Sequence, residues 1–244
     1  MLIFLVILLS VGLAAGADYC ALCSTHIACN NTGHFSKTCS ADAKVVPLSQ
    51  DNIQSFLDEH NGFRNRMANG SQPGFLTATR MATMVWSSEL AQLAVLNVKQ
   101  CKMNHDKCHI TNDFKFAGQN LALFSRTSNF ENITTIIPKT VRTWFSEVEN
   151  AVQTDLNKCC GSASGKGIGH FTVMVADRST HVGCAVATYT DGKWKTNLVA
   201  CNYAYTNMKG AIVYQTGKAA SGCKTGVNPN FKALCSIKEL IKAA

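Results

Sequence analysis

The sequence lacks several patterns that would point directly to a function. After residue 17 it has no apolar run approaching the ~20 residues that a membrane-spanning helix needs. It contains neither a G-x-S-x-G nucleophile motif nor an H-E-x-x-H zinc motif, and its basic and aromatic residues are not interleaved. These absences argue against a membrane-spanning protein, against two large classes of hydrolase and against nucleic-acid binding.

Acidic residues are also scarce. The chain has 15 Asp and Glu against 23 Lys and Arg, which gives a formal net charge of +8. The imbalance is largest near the C-terminus, where Glu239 is the sole acid among six lysines: Lys209, Lys218, Lys224, Lys232, Lys238 and Lys242. Such a tail suits anionic lipid headgroups, glycosaminoglycans or an acidic protein face, but we expect a solvated surface that keeps the protein soluble.

The first 17 residues predict a secretory signal peptide. Residues 2–13 are almost wholly apolar, and the small residues Ala14-Ala15-Gly16-Ala17 follow. The run is too short for a spanning anchor. We therefore expect a secreted, extracellular protein.

Twelve cysteines follow the predicted signal peptide. An even number of cysteines in an exported chain predicts a disulfide framework. Residues 18–45 hold four of them and few large aliphatic side chains, so disulfides must tie this segment to the remainder. The sequons at Asn30, Asn69 and Asn132 predict N-glycosylation in the same compartment.

The hydrophobic period changes along the chain. Apolar residues recur at helical spacing in three segments: from Ser49 to Asn69, from Ser87 or Ser88 to Cys101, and from Ile136 to Ala151, with Pro138 in the first turn of the last. Segments rich in Val, Thr and aromatic residues then predict strands over 170–176, 182–189 and 194–204. Asp191-Gly192 predicts a hairpin between the last two. This order predicts an α+β fold in which helices cover an antiparallel sheet.

Four segments resemble the signatures of the CAP superfamily, which comprises cysteine-rich secretory proteins, antigen 5 and pathogenesis-related 1. They are His60-Asn61-Gly62-Phe63-Arg64-Asn65, Gly118-Gln119-Asn120-Leu121-Ala122, Gly169-His170-Phe171-Thr172 and Leu198-Val199-Ala200-Cys201-Asn202-Tyr203. The N-terminal cysteine cluster is similar to that of the insect antigen-5 branch. The resemblance implies a three-layer α-β-α sandwich, with a CAP domain over 46–214 between a Cys-rich segment (18–45) and a basic C-terminal extension (215–244).

The resemblance also implies four disulfides: Cys20–Cys29, Cys23–Cys108, Cys39–Cys101 and Cys184–Cys201. Cys223 and Cys235 are close enough in sequence to close a local loop in the tail. Cys159 and Cys160 are then left over, and both a bridge between neighbours and an intermolecular link remain open.

CAP proteins place two histidines and two acidic residues in a central cleft, and by motif these positions are His105, Gln119, Glu147 and His170. Imidazole and carboxylate groups suit Zn²⁺ or Cu²⁺, so His105, His170 and Glu147 are candidate metal ligands. Gln119 carries no charge, so we expect weak metal binding at most and no firmly bound cofactor. A hydrogen-bonded network that fixes the cleft wall is the expectation we favour, and we assign no catalytic residue.

Binding is therefore the predicted function: capture of a small lipid or an extracellular protein target by a protein of the venom or salivary allergen type. The alternative is metal-dependent hydrolytic or redox chemistry in the cleft. The apolar stripe Val141, Trp144, Phe145 and Val148 could line a lipid channel, but its spacing favours ordinary core. No RGD tripeptide is present, so we do not predict integrin binding.

Overall fold

A computed structural model describes residues 18–241. The predicted signal peptide, residues 1–17, and the last three residues lie outside the described part. Across residues 18–241, no helix combines the length and apolar character that crossing a bilayer requires.

The described residues form helices and strands in an order close to the predicted one. In chain order they are α1 (Tyr19–Leu22), β1 (Lys44–Val45), α2 (Gln50–Ala68), β2 (Met81–Ala82), β3 (Val85–Trp86), α3 (Ser88–Val98), β4 (Gly118–Arg126), α4 (Ile133–Phe145), a 3₁₀ helix (Ser146–Asn150), α5 (Gln153–Asn157), α6 (Gly169–Val175), β5 (His181–Asp191), β6 (Trp194–Tyr203) and β7 (Leu234–Cys235).

One sheet divides the molecule into layers. Its strand order is β1-β5-β6-β4, with β3 also paired to β5. Because side chains alternate along a strand, β5 contributes to both faces. Ala185 and Ala187 pack with α3, whereas Cys184 and Val186 belong to the larger core shared with α2, α4 and α6. The result is the predicted three-layer α-β-α sandwich.

Local signals placed the first two long helices correctly. Ser49 Oγ accepts the Asn52 N–H at 3.2 Å, and Asn52 Oδ1 accepts the Ser49 N–H at 3.1 Å, which forms a capping box. Ser87 caps α3 by accepting the Leu90 N–H at 3.2 Å. These caps satisfy N–H groups that have no partner inside the helix.

The predicted strand over 170–176 is wrong, because residues Gly169–Val175 form α6. Five consecutive residues from Phe171 to Val175 are buried, so the helix has no polar face to reveal its period. Their β-branched side chains indicated a strand, and packing between α2, α4 and the sheet overrode that preference.

The third predicted helix begins earlier and ends earlier than expected. α4 starts at Ile133, where Asn132 Oδ1 accepts the Thr134 N–H at 2.9 Å. Pro138 therefore lies inside the helix rather than in its first turn, and it leaves one backbone carbonyl without its usual donor. Residues Ser146–Asn150 continue as a 3₁₀ helix, which carries Glu147.

Disulfides join all the described cysteines, and none is free. The pairs are those the resemblance implies, together with the local tail loop and the bridge between neighbours: Cys20–Cys29, Cys23–Cys108, Cys39–Cys101, Cys184–Cys201, Cys223–Cys235 and Cys159–Cys160. The Cys-rich N-terminal segment is thereby tied to the loop that carries His105. The tail is tied back as well, because β7 pairs in parallel with β2.

Candidate functional site

The four predicted cleft residues lie together. His105, Gln119, Glu147 and His170 line a depression of about 270 Å³ at the β4 edge of the sheet. β4 supplies Gln119, the 3₁₀ helix supplies Glu147, α6 supplies His170, and the loop before β4 supplies His105.

On one side of this cleft, His105 is oriented by Gln119. The His105 Nδ1–H donates to Gln119 Oε1 at 3.0 Å, and the Asp106 N–H donates to the same oxygen at 3.1 Å. The Gln119 amide nitrogen donates to Asp106 Oδ2 at 2.6 Å and to Asn202 Oδ1 at 3.0 Å. All these atoms are engaged, so Gln119 is part of the wall and not an open binding group.

On the other side, His170 is oriented by Glu147 and Trp144. The His170 Nδ1–H donates to Glu147 Oε1 at 2.6 Å, and the Phe171 N–H donates to Glu147 Oε2 at 3.1 Å. The Trp144 ring stacks on the His170 ring with 6.2 Å between centroids and 13° between planes. Both carboxylate oxygens of Glu147 are therefore engaged by their own neighbours.

Sequence reasoning missed Asp106. Its carboxylate accepts from Asn97 Nδ2 at 2.7 Å, from Gln100 Nε2 at 3.1 Å and from Gln119 Nε2. A carboxylate thus lies beside position 119, although residue 119 itself is an amide. Its place next to His105 was the signal available, but only the loop's folded path brings it onto Gln119.

A buried network connects the cleft to α2. Asn120 Nδ2 donates to the His170 backbone oxygen at 3.1 Å and to Tyr203 Oη at 3.2 Å. His60 Nδ1–H donates to the Phe56 carbonyl at 2.7 Å, so its Nε2 is the atom that accepts from Tyr203 Oη at 2.9 Å. Burial lowers the pKa of His60 to about 4, which keeps the imidazole neutral in this role.

Two imidazole nitrogens are the cleft groups that remain available to a ligand. Within residues 18–241, neither His105 Nε2 nor His170 Nε2 has a hydrogen-bond partner, whereas the carboxylate of Glu147 does. Among residues 18–241, no cluster of three or more His, Cys, Asp or Glu side chains is arranged to hold a metal ion. In the described residues Glu147 accepts hydrogen bonds from His170 and the Phe171 N–H, and the metal-ligand set of His105, His170 and Glu147 stays a prediction. The donors fit at most a two-imidazole metal site.

The apolar stripe of α4 and the following 3₁₀ helix belongs to the core. Val141, Trp144, Phe145 and Val148 are all buried in the cluster shared by α2, α4 and α6. The expectation that they form core, rather than the wall of a lipid channel, agrees with this burial.

A second depression, which we call the apolar groove, lies at the opposite edge of the sheet. β1 pairs with β5 over Lys44 and Val45, and the Val46 N–H still donates to the Val186 carbonyl at 2.8 Å. Pro47 has no N–H and cannot continue the ladder, so the chain leaves β5 there and crosses to α2. The gap between this departing chain, α3 and β5 is the groove.

The apolar groove has a volume of about 270 Å³. Gln92 supplies the one polar side chain in its lining, which otherwise consists of Val45, Val46, Pro47, Leu48, Trp86, Ala91, Val95, Cys184 and Ala185. Small side chains at Ala91 and Ala185 leave its floor open. No sequence pattern predicted this groove, because its walls come from segments far apart in the chain.

The sequence pattern of the cysteine-rich secretory protein family, called CAP, matches residues 57–203. The chain is 39% identical over 239 residues to venom allergen-1 of Aedes albopictus, covering 93% of this chain and 90% of that protein. It is 45% identical over 169 residues to the antigen 5 like allergen Cul n 1 of Culicoides nubeculosus, covering 69% of this chain and 76% of that protein.

Solved structures show the same fold. The structure titled as NaASP2 with Zn²⁺ superposes with a TM-score of 0.64 at 26% identity, covering 81% of this chain and all of that one (100%). The structure of BmVAL-1 superposes with a TM-score of 0.67 at 23% identity, covering 77% of this chain and 95% of that one.

Proposed function

Because the chain belongs to the CAP family of cysteine-rich secretory proteins, we propose that it acts outside the cell by binding a small lipid, whose acyl chain lies in the apolar groove. The names of its relatives, venom allergen and antigen 5 like allergen, support an extracellular role. The disulfide framework supports the same compartment.

The observation that carries lipid binding is the composition of the groove. A concave surface with a single polar side chain has no means of recognising a polar ligand, but it removes apolar ligand surface from water. Its volume of about 270 Å³ is just below the ~300–1,000 Å³ of pockets for drug-sized ligands. We therefore propose that it holds one chain and leaves the lipid headgroup in solvent.

The cleft supports binding over catalysis. The Glu147 carboxylate, the obvious general base, is held by His170 and the Phe171 N–H. The neighbouring hydroxyl of Ser146 donates to the Thr143 carbonyl at 2.8 Å, so it is not paired with either histidine. We assign no residue a catalytic role.

Fluorescence titration with cis-parinaric acid tests the proposal. Trp86 lines the groove, so excitation of tryptophan should sensitise the bound probe, and Trp86→Phe should reduce that transfer more than it reduces binding. Val95→Glu places a charge against the acyl chain and should weaken binding at least about tenfold. Val152→Glu is the matched control, since Val152 is exposed and does not line the groove.

Three outcomes would contradict lipid capture in the groove. They are no saturable binding of the probe, equal loss in Val95→Glu and Val152→Glu, or a purified protein that co-elutes with a protein target and ignores the probe. Organic extraction of the protein as secreted identifies the lipid that it carries.

Metal binding in the cleft is a second candidate, and the two unengaged Nε2 atoms of His105 and His170 favour it. A structure at 26% identity whose title includes Zn²⁺ adds support. Bound Zn²⁺ or Cu²⁺ would polarise a ligand as a Lewis acid. Titration calorimetry with Zn²⁺ should show weak binding that His105→Ala and His170→Ala abolish. Glu147→Gln should only weaken it, because Glu147 orients His170.

A further inference from the structure

The C-terminal tail displays aliphatic side chains to solvent. Ile237 is 65% exposed and Leu240 is 88% exposed. Together with Ile241 they line one depression of about 350 Å³, which also includes Val85 and Phe114. The lining also includes the polar residues Thr83, Thr180, His181, Ser236 and Glu239, so the aliphatic side chains form the apolar part of a mixed surface. Exposed aliphatic side chains gathered at one depression mark an interaction surface more often than isolated ones do.

Contacts of the buried Glu239 fix the position of this exposed segment. Glu239 is only 7% exposed, and its carboxylate accepts from Arg80 Nε at 2.7 Å and from the Thr225 N–H at 2.8 Å. Burial alone would raise its pKa, but hydrogen bonds from Thr225, Lys224 and Arg80 hold the pKa of Glu239 down to about 2. Glu239 is thus an ionised anchor that leaves Leu240 exposed beside it, and the Cys223–Cys235 disulfide cross-links the same segment.

Positive charge lies on one side of these aliphatic side chains. Leu240 and Ile241 also line a second depression, of about 690 Å³, together with Arg80, Arg178 and Lys224. Glu239 neutralises Arg80, with 2.6 Å between Arg80 Nη2 and Glu239 Oε1.

The one acid lining this second depression is Asp177, whose carboxylate accepts the Gln215 N–H at 3.0 Å. With Arg80 paired to Glu239, the two cations Arg178 and Lys224 outnumber this single acid, so the depression carries excess positive charge.

Within residues 18–241, the lysines of the tail have no acidic partners. Five of them are exposed, and in the described chain none lies within ion-pair distance of an Asp or Glu: Lys209, Lys218, Lys224, Lys232 and Lys238. The one acid of the tail, Glu239, is already paired with Arg80. Of these, Lys224 lines a depression with Leu240, and Lys238 directly follows Ile237 in the chain. Such cations beside exposed aliphatic side chains complement a surface that is anionic outside and apolar within.

We propose that this tail face, defined by Ile237, Leu240, Ile241, Lys224 and Lys238, docks on the surface of an anionic phospholipid bilayer. The aliphatic side chains enter the boundary between headgroups and acyl chains, and the cations meet lipid phosphates and carboxylates. A sulfated polysaccharide would engage the lysines but would leave the aliphatic side chains in water. The proposal goes beyond lipid capture in the apolar groove and does not depend on it.

Flotation with vesicles tests the docking. The purified full-length secreted chain should float with vesicles of equimolar phosphatidylcholine and phosphatidylserine, and should not float with phosphatidylcholine alone. Binding should weaken as salt is raised, because exposed charges are screened. Failure to bind the anionic vesicles at low salt would overturn the proposal.

Paired variants locate the face. Lys224→Gln with Lys238→Gln should lower vesicle partitioning roughly 30-fold, at ~1 kcal/mol for each cation near the membrane. Lys44→Gln with Lys193→Gln is the control with the same loss of charge. His181, the first residue of β5, lines the depression at the tail face, and Lys193 lies beyond the other end of this 11-residue strand, roughly 30 Å away at ~3.3 Å per residue. Lys44 pairs with Thr188 toward the same far end. Equal losses in the two pairs would show that binding follows net charge and not this face.

A separate variant, Leu240→Ser, tests the contribution of the aliphatic side chains. Leu240→Ser should lower vesicle partitioning about tenfold, since a leucine transferred from water contributes roughly 1.5–3 kcal/mol when fully buried. Val152→Ser, at a valine that is 49% exposed elsewhere, should change it less than about twofold. If heparin competes with the vesicles and Leu240→Ser behaves like Val152→Ser, the surface is a polysaccharide site and the bilayer proposal is wrong. Intact binding of cis-parinaric acid by Leu240→Ser separates this result from the groove.

Discussion

The polar cleft and the apolar groove lie at opposite edges of one sheet, and they differ in how their side chains are engaged. In the cleft, Gln119 and Glu147 are hydrogen-bonded to their own neighbours. In the groove, Pro47 ends a strand pairing and small side chains leave apolar surface uncovered. A site rich in polar residues can therefore be a hydrogen-bonded wall, while small apolar residues from distant segments leave the uncovered surface on which the proposed lipid binding rests.

We call the packed helices α2, α4 and α6, which include the cleft residue His170, the cleft layer. If this layer depends on buried polar groups, Arg64→Met in α2 should have the largest effect on stability. The Arg64 guanidinium is fully buried and donates to the carbonyls of Ala82 (2.7 Å), Met174 (2.8 Å) and Ala176 (2.8 Å). Three buried carbonyls lose their donors, at ~1–3 kcal/mol each, so we expect a loss of roughly 3–5 kcal/mol in urea unfolding. Val95→Ala, at the groove, should cost less than about 1 kcal/mol. If the two variants lost similar free energies of unfolding, the proposed difference between the cleft layer and the groove would be wrong.

Acid should destabilise the cleft layer next, through His60 in α2. The pKa of His60 is about 4 in the folded protein because burial disfavours the charged imidazole, against 6.5 in the unfolded chain. The unfolded chain therefore takes up a proton first, and stability present above pH 6.5 is lost as the pH falls toward 4, by up to about 3 kcal/mol.

His60→Gln is the matched variant, because glutamine does not titrate. Urea unfolding across this pH range should show a shallower loss in the variant than in the parent. Parallel curves for the two proteins would assign the acid sensitivity to other groups.

A subtler test converts the cleft amide into a second acid. Gln119→Glu replaces the donor to Asp106 Oδ2 by a carboxylate, which places two like charges at hydrogen-bonding distance. We expect a loss of about 1–2 kcal/mol at neutral pH, together with tighter Zn²⁺ binding in calorimetry. Gln119→Met, which removes the amide without adding charge, separates lost hydrogen bonds from repulsion. Unchanged stability of Gln119→Glu would mean that Asp106 is not held as described.

The smallest effect should come from filling the groove. Ala91 is partly exposed on α3, so Ala91→Met should change the free energy of unfolding by less than about 0.5 kcal/mol. The same change should exclude cis-parinaric acid, because methionine occupies the space of the acyl chain. A variant that loses stability, or keeps full binding of the probe, contradicts the idea that the groove is spare volume.

Short-range patterns predicted the elements that they control. Ser49 and Ser87 mark helix starts because their side chains cap N–H groups only three residues away. Asp191-Gly192 marks the β5–β6 hairpin, because a tight turn needs a residue such as Gly192 with positive φ. The resemblance then supplied the cleft positions, which the structure brings into one depression.

Features that depend on distant partners escaped prediction. Residues 169–175 have strand-like composition, and the packing of Phe171–Val175 against α2, α4 and the sheet, which no local pattern reveals, accompanies their helical conformation. The role of Asp106 depends on a loop that folds back onto β4. The apolar groove combines Pro47 with Ala185, which lie far apart in the chain, so no local pattern could reveal it.

The sequence by itself determined that the chain is disulfide-bonded, where the first two long helices are capped, where the hairpin turns and that positive charge is in excess near the C-terminus. Caps, turns and charge are properties of neighbouring residues, so they can be recognised without the fold. Only the tertiary structure decided which polar groups are already engaged, where apolar surface stays uncovered, and that Glu239 anchors a tail with Leu240 exposed. Those outcomes depend on contacts between distant segments, which compete for the same hydrogen bonds and the same volume.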